Sequence, residues 1–73
     1  MLTIKAVPSI GCSIAKTFEQ ARVISKILDC YVEFEFNGVT CISSPKGSNE
    51  IGIRNYHIEI KNKESFKYAV DHD

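Results

Sequence analysis

The chain has 73 residues and a mass of 8.2 kDa, enough for one small domain, residues 1–73, with a thin core. Nine Lys and Arg residues balance nine Asp and Glu residues, which excludes a protein that coats nucleic acid or an anionic membrane through bulk charge. No apolar run exceeds three residues, so the sequence predicts no membrane-spanning helix.

The N-terminal segment predicts a strand. Residues from Leu2 to Val7 alternate in polarity, and Pro8 ends the strand because it has no backbone N–H for a β-ladder. The segment also lacks a basic stretch followed by an apolar run, the pattern of a secretory signal. We therefore expect a cytoplasmic protein.

The three cysteines are Cys12, Cys30 and Cys41. Their odd number and wide spacing predict free thiols in a reducing compartment, and the absence of a CxxC pair argues against a zinc site. We expect Cys30 and Cys41 to be small core residues and Cys12 to lie in a loop.

An amphipathic helix is predicted over residues 17–29. Thr17 and Gln20 have the spacing of a capping box, while an alternative start at Ser13 would extend the helix backwards. The apolar stripe expected to face the sheet consists of Ala21, Ile24, Ile27 and Leu28.

Residues 31–43 predict a β-hairpin. Asn37-Gly38 is the preferred two-residue turn, because both central positions of a type I′ turn need a positive φ. This turn fixes the register and places on the core face Val32, Phe34, Phe36, Val39 and Cys41.

The opposite face of the hairpin mixes apolar and acidic residues and lacks a second helix layer to cover it. We expect a homodimer or a higher oligomer through this face or through an open sheet edge, and a solvated monomer is the alternative. The predicted interface residues are Tyr31, Glu33, Glu35, Thr40 and Ile42.

The C-terminal half is harder to interpret. As a helix, Ile51–Lys61 would align Ile53, Tyr56 and Ile60, but the alternation of residues 56–60 and the isoleucine content favour a strand from Arg54 to Lys61. Residues 62–65 resemble a helix start, with Phe66, Ala69 and Val70 as the apolar side. The expected fold is α+β, a two-layer β-α-β-β-β-α domain whose antiparallel sheet packs on helix 17–29.

The best candidate site is the loop after the hairpin together with the segment that follows it. Loop amides and hydroxyls donate to phosphate oxygens, Lys and Arg add positive charge, and Tyr56 could stack on a base. The predicted ligand-binding residues are Ser43, Ser44, Lys46, Ser48, Asn49, Arg54, Tyr56 and His57. No nucleophile–base pattern or metal motif is present, so we expect no enzyme, catalytic residue, metal or cofactor.

The helix followed by Val32-Glu33-Phe34-Glu35-Phe36-Asn37-Gly38-Val39 resembles small phage and prophage proteins with a "VxFxFNGV" hairpin. The resemblance covers residues 17–43. Some such proteins counter host defence, as oligomeric sponges for nucleotide immune signals or as anti-CRISPR inhibitors. The resemblance thus implies a counter-defence binding protein in the host cytoplasm. We favour a nucleotide sponge, with inhibition of a host defence protein or a small regulatory interaction domain as alternatives.

Overall fold

A computed structural model describes residues 2–62 and 67–72. The described elements in chain order are β1 (Thr3–Ala6), α1 (Ile14–Leu28), β2 (Tyr31–Phe36), β3 (Val39–Ser43), α2 (Asn49–Glu59) and β4 (Tyr68–Val70). The four described strands form one sheet in the order β1-β2-β3-β4. The predicted mixture of helix and strand is confirmed, but the predicted order of elements is wrong after β3. None of the helices in this part of the chain is long and apolar enough to cross a membrane.

The sheet is mixed, so the prediction of an antiparallel sheet is wrong for its outer pairs. β2 and β3 pair antiparallel, whereas β1 pairs with β2 and β3 pairs with β4 in parallel. A helix joins the members of each outer pair, and such a crossover returns the chain to the end of the sheet where the first strand began. The fold therefore consists of two βαβ units joined by the hairpin.

The predicted hairpin is confirmed. Phe36 pairs with Val39 and Phe34 pairs with Cys41, the register that a two-residue turn imposes. Both turn residues have positive φ angles, 49° at Asn37 and 80° at Gly38. The core face lies where it was expected, against the helices.

Helix α1 begins earlier than the capping box suggests, and the alternative start is the correct one. The Ser13 side chain caps the helix by accepting a hydrogen bond from the Lys16 backbone N–H at 3.2 Å. The Thr17 hydroxyl instead donates to the Ser13 carbonyl oxygen at 2.8 Å. Residue 17 is therefore inside the helix.

The face of α1 that meets the core also differs from the prediction. Its buried residues are Thr17, Phe18, Ala21 and Ser25, and Ala21 alone belongs to the predicted stripe. Phe18 is the reason, because its ring is fully buried and packs edge-on against Phe34 with ring centroids 5.0 Å apart. Small residues on either side of it allow the helix to approach closely, and this orientation turns Ile24, Ile27 and Leu28 away from the core.

The strand predicted from Arg54 to Lys61 is wrong, since these residues belong to α2 and the turn that follows it. The helix buries Gly52 and Tyr56, which are one helical turn apart, against the core. This packing outweighs the strand preference of the isoleucines, which depends strongly on context.

The predicted C-terminal helix is also wrong where the structure describes it. Residues 63–66, which include Phe66 and most of the predicted helix start, lie outside the described residues, whereas Ala69 and Val70 lie in β4. Tyr68 pairs with Thr40 and Val70 with Ile42, so β4 occupies the free edge of β3. Ala69 is fully buried in the core because the strand turns its side chain towards the helices.

The described cysteines are all free thiols, with Cys30 and Cys41 buried as predicted and Cys12 partly exposed. Burial raises the pKa of the Cys41 thiol from 9.0 to about 12, because the thiolate would lose its hydration. Its Sγ atom lies 3.7 Å from the Val39 carbonyl oxygen. Cys41 is therefore a core residue that stays protonated at neutral pH.

This environment predicts selective thiol chemistry. At pH 8 a maleimide should modify Cys41 at least ~100-fold more slowly than Cys12, because the reaction requires an accessible thiolate. Peptide mapping by mass spectrometry after timed quenching gives the rates, and protein unfolded in urea, in which all three thiols should react, is the control. Equal rates at Cys12 and Cys41 in the folded protein would contradict the burial of Cys41.

Candidate functional site

A tight turn connects β3 to α2. It consists of Ser44-Pro45-Lys46-Gly47, and the Gly47 N–H donates to the Ser44 carbonyl oxygen at 3.2 Å. Proline suits the second position of such a turn because its fixed φ matches the required value. The turn presents the Lys46 side chain to solvent, at the end of the sheet where α2 begins.

The buried carboxylate of Asp71 fixes this turn. Asp71 is fully buried, its Oδ2 atom accepts from the Ser43 hydroxyl at 3.1 Å, and both carboxylate oxygens accept from the Ser44 N–H at 3.0 Å. Its backbone contributes as well, accepting from the Ser48 N–H at 2.8 Å and donating to the Ile42 carbonyl at 3.2 Å. The end of β4, the end of β3 and the start of α2 are thus joined through one residue.

Gly47 is required by this arrangement. A Cβ atom built on Gly47 would overlap the carboxylate group of Asp71. The absence of a side chain therefore allows the turn to close over the buried carboxylate, a close approach for which glycine is the usual residue.

An open cleft of about 350 Å³ lies beside the turn. Its lining consists of Asp29, Tyr31, Ser44, Pro45, Lys46 and His72. The cleft combines an ammonium group, an imidazole, a hydroxyl, a carboxylate and an aromatic ring. These groups suit a small polar ligand that carries both an anionic group and a planar ring.

Three segments bring the remaining groups to the cleft. Asp29 ends α1 in the left-handed conformation with φ 49°, and its own N–H donates to the Ser25 carbonyl. This turn leads directly into Tyr31 at the start of β2. On the far side, His72 follows Asp71, with its Nδ1 atom 3.4 Å from Asp71 Oδ1 and its side chain 46% exposed.

The structure divides the predicted ligand-binding residues into two groups. Ser44 and Lys46 line the cleft, and the Ser43 hydroxyl lies beneath it on Asp71. Ser48 is the N-cap residue of α2, and Asn49 is the first residue of that helix.

The second group lies along α2, away from the cleft. Arg54 and His57 are exposed on this helix, whereas Tyr56 is 5% exposed in the core. The Tyr56 hydroxyl accepts from Asn37 Nδ2 at 2.9 Å, at the hairpin turn, while Tyr31 of the cleft lies at the other end of β2. Tyr56 thus has no free ring face on which a base could stack, and the predicted set does not form one site.

The sequence does not predict three of the residues that line the cleft as ligand contacts. Asp29 and His72 belong to no sequence motif, and the sequence predicts Tyr31 in the dimer interface. His72 reaches the cleft only because β4 pairs with β3, a contact between segments 28 residues apart in sequence. The local sequence contains no signal for it.

The outer face of the sheet carries the predicted interface residues. Strand register places together Tyr31, Glu33, Glu35, Thr40 and Ile42, with Thr3, Lys5, Tyr68 and Val70 beside them on the outer strands. Lys5 Nζ lies 3.9 Å from Glu33 Oε2, and Glu35 is exposed. The core cluster lies on the other face, where the described helices pack. Tyr31 is shared between this face and the cleft.

No protein family, curated protein or solved structure matches this chain. Within residues 2–62 and 67–72, no three His, Cys, Asp or Glu side chains come together in an arrangement that could hold a metal ion.

Proposed function

We propose that the protein is a non-enzymatic binding module that holds a small phosphate-bearing ligand in the cleft, with a nucleotide as the favoured case. The observation that carries the proposal is that four groups meet in the cleft. Lys46 and Ser44 come from the loop that the sequence predicts to bind phosphate, and they lie beside the ring of Tyr31 and the imidazole of His72. Phosphate binding needs a cation and hydrogen-bond donors, and a base needs a planar surface.

Each group of the cleft has a role that its chemistry supports. The Lys46 ammonium pairs with a phosphate oxygen, and the Ser44 hydroxyl and the N–H of the His72 ring add donors. The Tyr31 ring stacks on the base, and the Asp29 carboxylate accepts a hydrogen bond from a sugar hydroxyl or an amino group. The carboxylates near the cleft offset much of its positive charge, so a ligand with few phosphates suits it better than a polymer.

The resemblance of residues 17–43 to phage proteins supports a biological setting for this binding. A protein that sequesters a nucleotide immune signal acts stoichiometrically, needs no turnover, and can therefore be small. Under this proposal the protein lowers the free concentration of the signal in the host cytoplasm, and the clamped turn keeps the cleft preorganised.

Calorimetry with cyclic oligonucleotides and ADP-ribose derivatives tests the proposal. We expect heat with at least one of them, and a loss of affinity of about tenfold or more in Lys46→Ala, since one charge-assisted phosphate contact disappears. Lys26→Ala is the matched control, because it removes the same charge from an exposed position on α1, and it should leave the affinity unchanged. No heat from any of these compounds at high protein concentration would reject the proposal.

The outer face supports a second candidate, a protein-binding inhibitor of a host defence complex. It combines Tyr31 and Ile42 with the carboxylates of Glu33 and Glu35, and the described helices lie on the other face. The test is binding to a purified nuclease effector complex. Binding that is lost in the Glu33→Lys plus Glu35→Lys variant would favour this candidate, provided that calorimetry detects no ligand in the cleft.

A further inference from the structure

Helix α1 carries a second apolar stripe that the core does not use. Its residues lie at helical spacing on the side of α1 that faces solvent, and they are exposed by 52% at Val23, 40% at Ile24, 74% at Ile27 and 56% at Leu28. At the edge strand β1, whose end shares a groove with Ile24, Leu2 is 80% and Ile4 is 39% exposed. We call this set of residues, Leu2, Ile4, Val23, Ile24, Ile27 and Leu28, the α1–β1 surface.

The core is incompletely covered along this surface. A groove between α1 and the end of β1 is lined by Ala6, Val7 and Ile24 and reaches the core residues Val32 and Phe34. Strand β1 is at the edge of the sheet, so within the described residues its outer backbone groups have no partner strand. Exposed edges with apolar side chains promote pairing with another chain.

The area of the α1–β1 surface is suited to a stable interface. From their exposed fractions, its six residues present on the order of 600 Å², the upper end of what a monomer usually exposes in one patch. A stable complex buries roughly 800 Å² per partner, so these six residues supply most of that area and the backbone and polar rim of β1 have to supply the rest.

We propose that the α1–β1 surface is the interface of a homodimer. A two-fold axis perpendicular to the sheet pairs β1 of one copy antiparallel with β1 of the other and places the two α1 helices side by side on the same face. One symmetry operation thereby satisfies the open strand edge and covers the apolar stripe. A second copy fits both features at once, and this requirement favours it over an unrelated partner.

The existing β1–β2 ladder indicates the register of this pairing. The Leu2 carbonyl accepts from the Tyr31 N–H at 2.9 Å, so Leu2 directs its backbone groups towards β2. Alternation along the strand directs those of Ile4 to β2 as well and those of Thr3 and Lys5 outwards. Pairing Thr3 of each copy with Lys5 of the other centres the axis on Ile4 and brings the two Ile4 side chains together beneath the helices.

This dimer goes beyond the proposed function and does not depend on it. The α1–β1 surface shares no residue with the cleft, so each copy keeps its own cleft accessible. The outer sheet face, selected from the sequence as the interface, stays free in this arrangement. If the ligand proposal is wrong, the sedimenting mass of the dimer is unchanged. If the dimer proposal is wrong, ligand binding in the cleft is unchanged, so the failures of the two proposals are distinguishable.

Sedimentation velocity of the full chain over a range of concentrations tests the dimer. We expect a species of twice the 8.2 kDa chain mass, and a dissociation constant raised by ~100-fold or more in Ile27→Lys, which places a charge in the stripe. Ile58→Lys is the matched control, because Ile58 is 58% exposed on α2 outside the surface, and it should stay dimeric. A wild-type protein that sediments at 8.2 kDa at every concentration, or an Ile27→Lys variant as dimeric as the control, would overturn the proposal.

A cysteine pair tests the register without relying on a charge in the stripe. In a Cys12→Ser background, Ile4→Cys should form a disulfide-linked dimer under mild oxidation, since facing residues of a non-hydrogen-bonded antiparallel pair suit disulfide geometry. Tyr68→Cys, 55% exposed on the opposite edge strand, is the matched control and should stay monomeric on a non-reducing gel. Cross-linking at Tyr68 and none at Ile4 would reject the β1 interface.

Discussion

Replacing Asp71 by Ala should lower the free energy of unfolding by about 3 kcal/mol or more, a large share of the stability of so small a domain. The carboxylate accepts hydrogen bonds from the Ser43 hydroxyl and the Ser44 N–H, and these groups are buried with it. Its removal leaves buried donors without an acceptor, which costs more than the net value of the bonds themselves. Urea denaturation followed by circular dichroism gives the change directly.

A double-mutant cycle with Gly47 identifies the cause. Gly47→Ala alone should lower the free energy of unfolding by about 2–3 kcal/mol, because the new Cβ overlaps the Asp71 carboxylate. In an Asp71→Ala background the same change should cost much less, because that space is empty. Glu19→Ala removes an exposed carboxylate from α1 and should change stability by less than about 1 kcal/mol. Additive costs for the Asp71 and Gly47 changes would show that the turn does not close over the carboxylate.

This clamp also bears on the proposed function. Ser44 contributes its N–H to Asp71 and lines the cleft, so the same residue holds the turn and faces the ligand. The donors of a binding site cost less to organise when the fold already fixes them. Under the proposed function, variants of Asp71 should therefore lose ligand affinity together with stability, whereas Lys46→Ala should lose affinity alone.

The hairpin was predictable from the sequence because it depends on neighbouring residues. Asn37-Gly38 sets the turn, the turn sets the register, and the register sets both faces of β2 and β3. The start of α1 at Ser13 is also a local feature, but the sequence offers two capping residues, and the capping box at Thr17 and Gln20 favours the wrong one. Elements determined by short-range chemistry were thus within reach.

The other features depend on contacts between distant segments. The isoleucines at residues 58 and 60 favour a strand locally, and the close contact of Gly52 with Phe18 decides for a helix. Strand β4 exists because the edge of β3 is free to receive it, and its position carries Asp71 and His72 to the turn. Composition identified Ser44 and Lys46 as loop donors, but not the groups that pairing brings beside them.

Replacing Gly52 by Ala should lower the free energy of unfolding by about 1–2 kcal/mol, although Ala favours a helix over Gly by about 0.5–1 kcal/mol. A Cβ atom at this position would lie 2.7 Å from Cε1 and 2.9 Å from Cζ of Phe18. That ring is fully buried and held edge-on by Phe34, so it has little room to move. Denaturant titration of the single variant measures the balance of the two effects.

A smaller side chain in place of the Phe18 ring should reverse the sign of the effect that Gly52→Ala has on the free energy of unfolding. In a Phe18→Leu background, which by itself removes core volume and destabilises, Gly52→Ala should stabilise by up to about 1 kcal/mol, because the new methyl group fills the space and the helix preference then dominates. The coupling between the two positions is measured by the full cycle in urea. If Gly52→Ala stabilised the wild-type protein as it would an exposed helix, the packing of α2 on Phe18 would be contradicted, and with it the reason that residues 54–61 are not a strand.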